Sequence, residues 1–172
     1  MTIKRNTSQQ LLVPEFAGMG REEIHELREM MREERVDAGA RILEQGDPGK
    51  ALYFLEEGSV EVLRNGQTLA TLQAPTVFGE IGFLTATAHV ATVRALKAAS
   101  VLALDREKFD ASLAAGRVVA YKLVYNVAQR LAERLRRMDD WVVELLAQGP
   151  AKTAKGPELE RFKNSLLKDW RF

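Results

Sequence analysis

The residues able to do chemistry concentrate between Phe78 and Ala95, in the run FGEIGFLTATAHVATVRA. Gly79 and Gly82 flank Glu80 in an otherwise apolar stretch, and each glycine permits a positive φ or a close approach of another group to the backbone. Ile81, Phe83 and Leu84 can form the buried face of one short helical turn, whose first backbone N–H groups lack helical partners. Such a turn suits an anion, phosphate above all. A carboxylate beside it repels that anion unless it accepts hydrogen bonds from a neutral part of the same ligand, and a ribose hydroxyl has that character. A tight strand-to-helix corner with a solvated Glu80 accounts for the same spacing, and the residues alone leave both readings open.

Phe78, Gly79, Glu80, Ile81, Gly82 and Leu84, with Ala91, Thr92 and Val93 behind them, resemble the phosphate-binding cassette of the cyclic-nucleotide-binding domain family, typified by catabolite activator protein-like sensor domains. The family pattern is approximately F-G-E-[LI]-[AG]-L-[LF], a few variable residues, then P-R-[SA]-A-[TS]-V. The resemblance implies Glu80 on the ribose and the backbone from Gly82 to Leu84 on the phosphate. Phe78, Gly79, Ile81, Phe83, His89, Val90 and Thr92 complete the cassette, and Arg134 and Leu135 of a later helix fall where the family faces the base. His89 stands where the family arginine pairs with the cyclic phosphate, Ala88 replaces the preceding proline and Val90 the following small residue. Arginine brings a permanent charge and a planar fork of donors, whereas histidine is mostly neutral at pH 7 unless a ligand raises its pKa. The expected ligand is cAMP or cGMP held weakly, or a cyclic dinucleotide with Arg134 standing in for the missing arginine.

The elements that would position this stretch follow from the rest of the chain. Its 172 residues, 46% hydrophobic and 28% charged with a net charge of +1, suffice for one main domain with appendages. Cysteine is absent, which excludes disulfides and thiol chemistry and fits a reducing cytoplasm. No apolar run approaches membrane-spanning length, and the start has too short an apolar patch for a secretory signal. A cytoplasmic location is expected. From Arg117 onward twelve basic residues stand against seven acidic ones, but around Arg130 to Arg137 they alternate with acids and apolars, as a solvated helix face does.

Residues 1–15 read as an N-terminal arm, 16–116 as a jelly roll with a leading helix, 117–147 as a long dimerisation and lid helix, and 148–172 as a linker with a short amphipathic helix. The leading helix is expected from Gly20 to about Glu34, with Ile24, Leu27 and Met31 on its buried face. Gly39, Gly46, Asp47-Pro48-Gly49, Gly58 and Asn65-Gly66 then punctuate short runs, predicting a mainly β sandwich or barrel of about eight strands. Leu52 to Leu55 read as a buried strand, and Val60 and Val62 lead into the hairpin signal Asn65-Gly66, with Leu69 and Leu72 on the return. Asp105 caps a short helix that Gly116 stops. This order resembles the cyclic-nucleotide-binding jelly roll, a double-stranded β-helix.

An enzymatic reading finds little support. Cupins share the jelly roll, but a catalytic metal needs about three protein ligands, and His25 and His89 are the only histidines. No serine lies in a G-x-S-x-G elbow. The long helix carries Val124, Leu131, Met138 and Leu145 at intervals of seven, flanked by Val127, Ala128, Leu135, Trp141 and Val142, which points to a homodimer through this helix. No winged helix-turn-helix follows, so sequence-specific DNA binding is not expected. Leu159, Phe162, Leu166 and Trp170 share one face of the last segment, either docking on the same dimer or delivering it to an effector protein. The sequence therefore reads as a non-enzymatic regulatory sensor that signals through a dimer. Its rival is an interaction module that keeps the fold without the ligand.

Overall fold

Asn65 and Gly66 both adopt positive φ, 52° and 78°, the combination that a two-residue hairpin needs to match the twist of its strands. They join β4 (Ser59–Arg64) to β5 (Gln67–Gln73). The computed structural model describes residues 13–148 of the chain, and the face of Leu159, Phe162, Leu166 and Trp170 lies outside them. Pairing Val62 with Ala70 and Leu63 with Thr68 leaves Leu69 as the extra residue of a bulge. Leu69 is thereby exposed, while Ala70 and Leu72 are buried.

The remaining strands are β1 (Met31–Val36), β2 (Arg41–Leu43), β3 (Ala51–Glu57), β6 (Thr76–Phe78), β7 (Thr92–Ala95) and β8 (Ala99–Asp105). They form two antiparallel four-stranded sheets, ordered β1-β8-β3-β6 and β2-β7-β4-β5. The architecture is the expected jelly roll with flanking helices. Burial on both faces explains why Leu52 to Leu55 of β3 and Val101 to Leu104 of β8 are apolar without interruption. Tyr53, Leu55, Val101 and Ala103 face the core between the sheets, whereas Leu52, Phe54, Leu102 and Leu104 face a second core under the helices.

Four helices supply that second layer: α1 (Arg21–Glu29), α2 (Glu80–Thr85), α3 (Arg106–Ala114) and α4 (Val118–Gln148). Asp105 caps α3, its side chain accepting from the Lys108 N–H at 3.1 Å. The leading helix ends five residues earlier than its sequence predicts. Met31 to Val36 instead pair as an edge strand with β8, from Met31 opposite Leu104 to Val36 opposite Ala99. Met, Arg and Glu are good helix formers, but such propensities amount to only tenths of a kcal/mol per residue and the ladder outweighs them; exposed charges at Arg32, Glu33 and Arg35 suit an edge.

The stripe on α4 also divides differently from the heptad reading. Leu123 and Val127 are buried, and Val124 and Leu131 pack against the domain's own helical core, so these positions do not face outward. The outward apolar residues are Val118, Tyr121, Tyr125, Leu135, Met138, Val142 and Val143. An N-terminal 3-10 turn at Pro14–Phe16 is fastened to the inner face: Asn126 Nδ2 donates to the Glu15 and Ala17 carbonyls at 2.8 and 2.9 Å. Lys122 reaches the Gly18 carbonyl at 2.9 Å, and Arg117 clasps Glu26 with two bonds of 2.7 and 2.8 Å.

Candidate functional site

β6 delivers the chain to Gly79, whose φ of 84° is left-handed and favours glycine. From there α2 begins at Glu80. Phe83 is buried beneath α2, its ring 5.1 Å from that of Phe109; Ile81 and Leu84 are half-buried. The Arg106 guanidinium donates to the Phe83 carbonyl and so fixes the end of α2 to the start of α3. Thr85 Oγ1 closes the same turn on the Ile81 carbonyl at 2.6 Å.

The loop between β2 and β3 covers α2 from the other side. A Cβ on Gly49 would lie 2.3 Å from the Gly82 carbonyl carbon, so the two backbones meet where no side chain fits. His89 is held in this seam: its N–H donates to the Asp47 carbonyl at 2.8 Å, its carbonyl accepts from the Gly46 N–H at 2.9 Å, and Gly49 N–H donates to Thr87 O at 3.1 Å. The imidazole is buried and packs beside Gly82. Burial pushes its pKa below the ordinary histidine value, outweighing the opposite pull of Asp47 and Glu80. His89 is therefore neutral at pH 7 and carries no positive charge to offer an anion.

Glu80 and Arg134, 54 residues apart, come together: Arg134 Nη1 donates to Glu80 Oε1 at 2.9 Å. Their side chains are only 21% and 12% exposed, Arg134 and Glu80 respectively. Leu135, its neighbour on α4, is instead 59% exposed, as is much of Val90. Thr92 Oγ1 accepts from the Gln45 N–H at 3.0 Å, a bond that pins the β2–β3 loop. Among the twelve candidate site residues, the cassette and Arg134 form one constellation; Leu135 and Val90 present themselves to solvent.

Sequence reasoning missed a neighbouring group. A small cavity between β6, α2, the N-terminal turn and α4 is lined by Glu15, Val77, Glu80, Val127, Arg130 and Leu131. Glu15 is buried, its Oε2 has no hydrogen-bond partner, and burial raises its pKa more than a backbone hydrogen bond and Arg130 lower it. The signal available in sequence was a lone carboxylate between Val13-Pro14 and Phe16, which by itself is weak. Gly49 and Asp47 were legible as a turn but not as the cover of α2. Among the described residues no group of three or more His, Asp or Glu could hold a metal ion, and no helix is long and apolar enough to cross a membrane.

The model of the cyclic nucleotide-binding domain family matches residues 33–122, more than half of the chain. The chain belongs to this family. Over 92 residues this cyclic nucleotide-binding domain is 37% identical to the cGMP-dependent protein kinase egl-4 of Caenorhabditis briggsae, covering 54% of this chain and 12% of the kinase. The chain thus spans only a small part of the length of this kinase. Among solved structures, the catabolite activator protein of Thermus thermophilus matches with a TM-score of 0.67 and 32% identity, over 78% of this chain and 63% of that one. The N-terminal domain of a transcriptional regulator from Streptomyces coelicolor A3(2) matches with a TM-score of 0.62 and 31% identity, over 70% of this chain and 89% of that one. In this cyclic nucleotide-binding domain the Gly79 turn, α2 and the following loop all lie within the matched residues.

Proposed function

We propose that this domain is a non-enzymatic cytoplasmic sensor whose cassette takes a cyclic nucleotide, Glu80 accepting from the ribose hydroxyl and the backbone from Gly82 to Leu84 meeting the phosphate. The observation that carries this reading is the left-handed Gly79 turn that opens α2 on Glu80, held from below by Phe83 and Arg106 and from above by Gly49. Binding is weak because the position of the phosphate arginine holds a buried, neutral His89. Losing one partner of a desolvated charged contact costs about 2–5 kcal/mol, and each 1.4 kcal/mol is about tenfold in Kd. Titration with cAMP, cGMP and cyclic dinucleotides tests it. Affinity for a mononucleotide should rise as pH falls, since His89 must take up a proton to hold phosphate, and His89→Arg should remove that dependence and tighten binding at about pH 8. Tight binding of unmodified protein at that pH defeats the account of the missing arginine.

Signalling proceeds through a homodimer to an effector protein, with Leu159, Phe162, Leu166 and Trp170 as the delivering face. The exposed residues Val118, Tyr121, Tyr125, Ala128, Ala132 and Leu135 follow the alternating three- and four-residue spacing of a coiled-coil seam, which suits a second copy of α4. A ligand-free interaction module is the second reading, favoured by Glu80 and His89 both being engaged within the chain. Binding of no nucleotide even after His89→Arg would establish that reading.

A further inference from the structure

Glu15 occupies the middle of the 3-10 turn Pro14–Phe16, is 2% exposed and leaves its Oε2 without a hydrogen-bond partner. Charged groups face it from two elements: Glu80 of α2 and Arg130 of α4 line the same cavity, while Val77, the lining residue from β6, carries no charge. Arg130 is already engaged, its Nη1 donating to Glu133 Oε2 at 3.1 Å. Glu80 brings a charge of like sign, offset by Arg134 at 2.9 Å. An ionised Glu15 is therefore a desolvated charge with one shared cation and a second carboxylate on its cavity, and the neutral acid costs far less there. The turn that carries it is held at a single seam. Phe16 stacks on Phe54 with ring centroids 5.1 Å apart, Asn126 of α4 binds the Glu15 and Ala17 carbonyls, and Lys122 binds the Gly18 carbonyl. Water reaches the Glu15 carboxyl group when this seam opens.

We propose that the N-terminal turn is a proton-operated latch on α4, which closes over Glu15 as the neutral acid and opens as that proton passes to solvent. The latch goes beyond the nucleotide reading and holds whether or not Glu80 meets a ribose. In the closed state burial raises the carboxyl pKa; in the open state the group returns to about 4.3. Closure is thus fully favoured below about pH 4.3, weakens by up to about tenfold per pH unit above it, and levels off once pH has passed the raised closed-state value. Opening frees Asn126 and exposes Val127, which lines the same cavity, so proton concentration sets how firmly the middle of α4 is held.

Three amides report on the latch directly: those of Phe16, Ala17 and Met19, bonded to the carbonyls of Val13, Pro14 and Phe16. Their protection against hydrogen exchange, corrected for intrinsic rates, should fall by about tenfold or more between about pH 5 and about pH 9, while residues 52–55 of the core keep theirs. Glu15→Gln, which cannot ionise, should hold the three amides equally protected across that range. Protection that is independent of pH in the unmodified protein overturns the latch, and so does the same decline in Glu15→Gln. A carbon-13 titration of the Glu15 carboxyl group in the unmodified protein decides the matter even if Glu15→Gln fails to fold. A midpoint above the ordinary glutamate value supports the latch; one at or below it overturns the proposal.

Discussion

Gly49 and Gly82 touch through their backbones: a Cβ on Gly49 would sit 2.3, 2.4 and 2.7 Å from the carbonyl carbon, oxygen and Cα of Gly82. The β2–β3 loop can lie on α2 only because neither residue has a side chain at that point. Gly49→Ala should therefore part the loop from α2 or displace α2, lowering stability by about 1–3 kcal/mol in denaturant titration. Gly39→Ala provides the contrast, since nothing lies within 4 Å of its added Cβ and its cost is confined to the left-handed backbone. A Gly49→Ala protein as stable as the unmodified one contradicts the close approach.

His89 gives stability a pH dependence of defined sign. Its folded-state pKa is depressed by burial, so the unfolded chain takes up a proton first as pH falls. The contribution is complete above about pH 6.5 and is lost as pH drops through the lower folded-state value. Thermal unfolding followed from about pH 7.5 down to about pH 5.5 should show a steeper decline for the unmodified protein than for His89→Gln. Parallel curves would mean that the imidazole is not desolvated as described.

Glu15 acts in the opposite sense. Burial raises its pKa, so its carboxylic acid form favours the fold; that contribution is complete below about pH 4.3 and is lost as pH rises through the raised folded value. Glu15→Gln should raise Tm at about pH 8 and make no difference near pH 4. A lower Tm at pH about 8 would show that the ionised carboxylate is satisfied, contrary to the unpartnered Oε2.

Asn126 ties the N-terminal turn to α4 with two bonds to carbonyls of residues 15 and 17. Asn126→Ala strands those acceptors and should cost about 1–3 kcal/mol, with amide exchange rising first in residues 13–19. Uniform loss across the domain would instead mark Asn126 as part of the global core.

The proposed dimer seam has its own discriminating pair. Tyr125→Glu changes an exposed residue and should yield a folded monomer, whereas Leu131→Glu places charge against the domain's own core and should destabilise the fold itself. Sedimentation with far-UV circular dichroism distinguishes them. A monomeric unmodified protein removes the second copy from the proposal.

Much of this architecture was decided by short stretches of sequence. Asn65-Gly66 specify their hairpin because positive φ at two successive positions suits few other residues, and the apolar run Leu52 to Leu55 specifies a strand buried on both faces. The Gly79 turn, the Asp105 cap and the Gly116 stop were legible for the same reason: each is settled by a few neighbouring residues whose backbone preferences do not depend on distant partners. Tertiary structure decided the rest. Met31 to Val36 became a strand because β8, about seventy residues later, offered a ladder. Val124 and Leu131 turned inward, and Tyr125 and Leu135 outward, because the N-terminal turn and the sheet were already there to be covered; heptad spacing describes a stripe but does not say which of two faces the domain will bury. The Glu80–Arg134 contact spans 54 residues and the Glu15–Asn126 contact 111. No local pattern encodes such pairs, since they follow from where a helix about 46 Å long comes to rest, which the packing of Val119, Leu123 and Val127 and the bonds of Arg117, Lys122 and Asn126 determine together.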